Sequence, residues 1–110
     1  MDEQIVGPDL VLSTDRDGNR AVLTVRGELD AYSAPGLEDQ IGRLIADKIE
    51  NVVLDLSQTA FLDSSGLRAI LTAQRRLGES NGQMSLRAPS EAVTRLLEIT
   101  GLTDHFSVER

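Results

Sequence analysis

The chain has no cysteine and no tryptophan, a single lysine, a single histidine, and only Tyr32, Phe61 and Phe106 as aromatic side chains in 110 residues. Without cysteine, disulfides, thiol switches, thiolate nucleophiles and Cys-zinc sites are excluded. With Lys48 as the sole lysine, set late in a helical pattern, a glycine-rich phosphate loop with its lysine is excluded too. A Ser-His-Asp hydrolase would have His105, beside Asp104 near the end, as its only base, and the Gly-x-Ser-x-Gly elbow is absent. The scarcity of aromatics leaves little to stack on bases, and a formal charge of -7 repels phosphate backbones, so nucleic acid is not an expected partner. No apolar run approaches a membrane span. Met1-Asp2-Glu3-Gln4 also lacks the basic flank and apolar stretch of a signal peptide, so a cytoplasmic protein with no membrane contact is expected.

What is present is ordinary globular composition, 40% hydrophobic and 26% charged, in a length that suits one domain with an aliphatic core. The acidic balance implies solubility and favours a partner with a basic patch. Residues 1–9 carry three acids and Gly7-Pro8 without periodicity, which predicts a flexible lead-in followed by a domain over 10–110. Leu10-Val11-Leu12 and Ala21-Val22-Leu23-Thr24-Val25 flank the turn-forming Asp15-Arg16-Asp17-Gly18-Asn19 and predict a β-hairpin.

Ser33 and Pro35 then open a helix over about 33–49, with Leu37, Ile41, Leu44, Ile45 and Ile49 as its apolar stripe. Asn51-Val52-Val53-Leu54-Asp55-Leu56 is nearly unbroken apolar sequence, as in a parallel strand covered on both faces. Leu67, Ile70, Leu71 and Leu77, with Ala69 and Ala73, mark a second helix. Gln83 to Ala88 alternates as a half-exposed strand. Pro89-Ser90-Glu91 begins a third helix carrying Val93, Leu96, Leu97 and Ile99, stopped at Gly101 with Leu102 folding back. His105 to Val108 reads as a short edge strand or a tail. The order β, β, α, β, α, β, α, weak β predicts an α/β fold with a mixed, mostly parallel sheet.

The chain is organised around Phe61-Leu62-Asp63-Ser64-Ser65-Gly66-Leu67, where a strand hands over to a helix. Asp63 and Ser64 stand where a helix needs a cap, and capping alone is a sufficient reason for such residues. Two further acidic readings stand beside this one. Asp55 at a strand end resembles the acceptor of a receiver domain, against which the lack of any later lysine counts, so that a cap or loop role fits it better. Glu28, Asp30 and Asp63 would form a carboxylate cluster for Mg²⁺ or acid-base work if their loops met, although solvated loop acids are commoner.

The reading that survives is a site acted upon. A phosphate on Ser64 would lie at a helix N-terminus, where free amides and the helix dipole favour an anion. It would add about -1.5 to -2 of charge beside Asp63 and repel a partner docking over the turn. Gly66, lacking a side chain, would keep the turn open or simply serve a tight first turn. Arg68, one turn on, suits a partner contact or a phosphoserine ion pair. Arg68, Thr72, Arg75, Arg76 and Glu79 together otherwise read as a solvated helix face.

Val53-Leu54-Asp55-Leu56 and Phe61-Leu62-Asp63-Ser64-Ser65-Gly66-Leu67, preceded by Gly27-Glu28-Leu29-Asp30, resemble the bacterial anti-sigma factor antagonists, single-domain members of the STAS family. The resemblance covers about residues 10–108. It implies a STAS-like domain with an initial hairpin and three to four helices, a binding protein rather than an enzyme, and no cofactor of its own. It also implies phosphorylation on Ser64 by an anti-sigma factor serine kinase, which would supply ATP and Mg²⁺, with a serine phosphatase acting on the modified form. The unmodified form would bind the anti-sigma factor and free its sigma factor. Carried over by position, Asp30, Asp63, Ser65, Gly66 and Leu67 would border the contact surface, and Ser65 offers a second hydroxyl for modification. The alternative implied by the same family is a STAS scaffold or adaptor for a transporter or a sensor complex.

Overall fold

The computed structural model describes residues 2–109; Met1 and Arg110 lie outside the described residues. Along the chain run strands β1 (Asp2–Gly7), β2 (Leu10–Asp17) and β3 (Arg20–Leu29), helix α1 (Ala34–Ala46), strands β4 (Asn51–Asp55) and β5 (Thr59–Leu62), helix α2 (Ser64–Glu79), strand β6 (Gln83–Arg87), helix α3 (Glu91–Thr100), a 3-10 turn over Thr103–His105 and strand β7 (Ser107–Glu109). The strands make one sheet in the order β1-β2-β3-β4-β6-β7, and β5 pairs with β3 beyond the end of β4. β1 with β2 and β2 with β3 are antiparallel. The remaining pairings are parallel. The fold is thus the expected single α/β domain with a mixed, mostly parallel sheet and an initial hairpin.

Alternation along the strands sends Leu12, Leu23, Val25, Leu54 and Leu86 to one face, where Leu37, Ile41 and Leu44 of α1 and Ile70, Ala73 and Leu77 of α2 meet them in one apolar cluster. Each fully buried aliphatic side chain contributes about 1.5–3 kcal/mol, so this layer dominates stability. On the opposite face Val22, Val53 and Ser85 stand in register. Val53 is buried there at 3% exposure, which accounts for the unbroken apolar run of β4. That face is bordered by a carboxylate, Glu109, which takes ion pairs from Arg20 at 3.7 Å and Arg87 at 3.0 Å.

Several expectations are corrected. Residues 2–7 of the expected flexible lead-in form an edge strand on β2. Main-chain pairing holds it while Ile5 stays 76% exposed, so no hydrophobic period announces it. β5 is a separate strand; four residues are too short a run for periodicity to single out. α1 ends at Ala46, and Ile49 is buried from the following loop after Lys48 takes a positive φ of 66°. Ile99 is 73% exposed on the outer face of α3. Leu71 is half-buried at the margin of the core.

The ends of α3 are as the sequence implies. Ser90 accepts the Val93 amide at 3.3 Å. Gly101 is left-handed at φ 72°, and the Leu102 amide returns to the Leu97 carbonyl at 2.9 Å.

Candidate functional site

β3 and β5 lie parallel with Glu28 opposite Phe61 and Leu29 opposite Leu62. The chain therefore leaves the sheet twice at the same edge, at Asp30 toward α1 and at Asp63 toward α2. The Asp63 amide reaches the Leu29 carbonyl at 3.4 Å across this gap. The two motifs separated by more than thirty residues in sequence become one surface.

Each acid starts the helix behind it. Asp30 Oδ1 accepts from the amides of Tyr32 at 3.0 Å and Ser33 at 3.1 Å. Ser33 Oγ donates to the Glu28 carbonyl at 2.9 Å and accepts the Asp30 amide at 2.9 Å. Ser33 thus locks the loop rather than capping α1 with its side chain. Asp63, in extended backbone, caps α2 by accepting the Gly66 amide on Oδ1 at 2.9 Å, and its carbonyl takes the Leu67 amide at 2.9 Å.

With the cap supplied by Asp63, Ser64 becomes the first residue of α2 and is exposed. Among the described residues its hydroxyl enters no side-chain hydrogen bond. Ser65 is half-buried and Arg68 exposed on the same helix. Gly66 and Leu67 are buried, with Leu67 at 6% exposure in the apolar cluster beneath the turn. A Cβ on Gly66 would collide with the Leu29 carbonyl oxygen and meet Leu62 Cδ1 at 2.6 Å. The glycine therefore permits α2 to sit tightly on the ends of β3 and β5, and keeping the turn open is not its role.

The carboxylate-cluster reading loses its donors, since Asp30 and Asp63 each serve a helix start. No three His, Asp or Glu side chains come together to hold a metal ion among the described residues. Asp55 accepts the amide and hydroxyl of Ser57 at 2.9 and 2.7 Å, a loop role. His105 is exposed in the 3-10 turn, packed edge-on against Phe106 with ring centres 5.3 Å apart.

Two residues at this edge lie outside the expected site residues. Tyr32 is 95% exposed and Phe61 46% exposed. Tyr32 flanks an open groove of about 310 Å³ whose walls include Val6, Leu10, Glu28 and Asp30. The available signal was their position: in a chain with so few aromatics, one follows Asp30 by two residues and another precedes Asp63 by two.

Comparison with known proteins points the same way. A model of the STAS domain matches residues 12–110. The anti-sigma-F factor antagonist RsfB of Mycobacterium tuberculosis is 34% identical over 100 residues, covering 90% of this chain and 81% of the relative. The crystal structure of an anti-sigma factor antagonist from Mycobacterium paratuberculosis superposes with a TM-score of 0.79 at 32% identity, over 94% of this chain and 89% of that one. The Bacillus cell fate determinant SpoIIAA, at 20% identity in its phosphorylated form, shares the fold with a TM-score of 0.71, over 90% of this chain and 91% of that one. A chain matched by the STAS domain over nearly its whole length, with relatives of this kind, belongs to the STAS domain family and within it to the anti-sigma factor antagonists.

Proposed function

We propose that the unmodified chain binds an anti-sigma factor that is also a serine kinase, so releasing a sigma factor, and that phosphorylation of Ser64 ends this binding. The observation that carries the reading is the division of labour at the start of α2. Asp63 supplies the cap through Gly66, which leaves the Ser64 hydroxyl exposed and uncommitted. A hydroxyl in that state can reach a kinase active site and attack the γ-phosphorus of ATP, with ADP leaving and the hydroxyl proton passing to a kinase base. The added dianion stands beside Asp63 on a protein of net charge -7, and a partner docked over the turn meets both bulk and repulsion.

Asp30, Asp63, Ser65 and Arg68 form the polar part of the proposed docking surface, with Tyr32 and Phe61 as its apolar part. Gly66 and Leu67 hold that surface in place from beneath. A serine phosphatase would reset the switch, and a cytoplasmic setting follows from such partners. Among the described residues no helix is long and apolar enough to cross a membrane.

Incubation with the candidate anti-sigma kinase and ATP, followed by mapping of the phosphate by mass spectrometry, tests the reading. Modification at Ser64 with loss of binding to that kinase is expected. Phosphate placed elsewhere, or a phosphorylated sample that binds with undiminished affinity, overturns it.

A further inference from the structure

Ser64 and Arg68 are four residues apart on α2 and both are exposed. That spacing places two side chains on one stripe of a helix, about 5–6 Å apart at Cβ. Arg68 belongs to none of the ion pairs among the described residues, whereas Arg16, Arg20, Arg26, Arg87 and Arg95 each have a carboxylate partner. Asp63 adjoins Ser64 with its carboxylate held by the Gly66 amide, and the neighbouring loop brings Glu28 and Asp30 to the same edge. A phosphate at position 64 would therefore have acids on one side and an uncommitted cation on the other.

Resting on the reading above that Ser64 carries the phosphate, we propose that Arg68 is the built-in counter-ion of phosphoserine 64. A guanidinium presents parallel N–H donors that match two phosphate oxygens, and the four-residue spacing lets it turn back over the first turn of α2. Two effects follow. Pairing offsets the repulsion between phosphate and Asp63, so the cap on α2 survives modification. Pairing also takes Arg68 away from the docking surface, so modification removes a cation that the unmodified form offers a partner, as well as adding an anion. Arg68 is thus a positioning residue for the phosphate.

The test installs phosphoserine at position 64 by genetic encoding, so that no kinase is required, and follows its ³¹P resonance through a pH titration. Phosphoserine ordinarily titrates near pH 6. In Arg68→Gln the midpoint is expected about half a unit higher than in the parent phosphoprotein, because Asp63, Asp30 and Glu28 then favour the protonated phosphate without opposition. Arg68→Lys should fall between the two, and 1 M salt should shrink the difference. Coincident midpoints in the parent and in Arg68→Gln, both folded by circular dichroism, overturn the proposal. Failure of any kinase to modify Ser64 would defeat the function proposed above and not this ion pair; coincident midpoints would defeat the ion pair and not the function.

Discussion

The Asp63 carboxylate accepts the Gly66 amide at 2.9 Å, and this bond separates the residue that starts α2 from the residue beside it that is free to be modified. Cap and proposed switch occupy adjacent positions, so their substitutions should have opposite profiles. Asp63→Ala should cost about 1 kcal/mol in urea unfolding through loss of the cap. Ser64→Ala should stay within about 0.5 kcal/mol. Equal costs for the two would mean that the Ser64 hydroxyl shares the capping work.

Ser64→Asp introduces a negative charge at an exposed helix start, where the dipole favours it. Its melting midpoint should stay within a few degrees of the parent while binding to the anti-sigma partner is lost in calorimetry. Ser64→Ala should bind whether or not kinase and ATP are present. If Ser64→Ala fails to bind, the hydroxyl is itself a contact, and charge is not what the partner senses.

Gly66→Ala tests the close approach of α2 to the sheet. The new methyl would press on the Leu29 carbonyl oxygen and on the side chains of Leu62 and Leu29, and the carbonyl, being backbone of β3, cannot give way cheaply. A loss of about 1–3 kcal/mol is expected from overpacking in a denaturant titration. A neutral outcome would show that the helix can lift from the end of β3 without penalty.

Neighbouring positions on α2 should differ sharply. Ile70 is 1% exposed within the main cluster, and Ile70→Ala should cost about 2–5 kcal/mol. Leu71 only packs against the margin of that cluster, so Leu71→Ala should cost roughly half as much or less. Equal losses would mean that α2 is rotated from the placement described.

Glu109 supplies a pH dependence. The hydrogen bond from Arg87, chiefly, holds its carboxyl below the ordinary range against a desolvation effect, with the charge of Arg87, the hydrogen bond from Ser85 and the charge of Arg20 acting in the same direction. A carboxyl lowered in the folded state stabilises the protein above its unfolded pKa, and the contribution disappears as pH falls through the folded value. Glu109→Gln should therefore lower the melting midpoint slightly at neutral pH, and the gap to the parent should close on acidification below about pH 4. A gap that persists or widens in acid would contradict the assignment.

Much of this molecule follows from its sequence for a local reason. Helix starts and stops are set by short-range chemistry, so Ser90 and Gly101 could be placed without knowing what surrounds them. The aliphatic periods of α1 and α2 likewise follow from the need to bury one face. The turn at Asp63-Ser64 and the family resemblance it carries were legible because both depend on residues close together in the chain.

Tertiary structure decided what depends on distant partners. β1 exists through its pairing with β2, and β5 through its register with β3, and neither is long or periodic enough to be seen alone. The inward turn of Gly66 is fixed by Leu29 and Leu62 of adjoining strands. The meeting of Asp30 with Asp63 required the parallel alignment of β3 and β5, and the exposure of Tyr32 and Phe61 at that edge followed from it. Local sequence placed a helix start at Asp63-Ser64, because capping bonds span three residues, and the folded turn gave the cap to Asp63 and left the Ser64 hydroxyl spare. Only the assembled sheet brought the two acidic loops together, because hydrogen bonding between strands acts across whatever length of chain separates them.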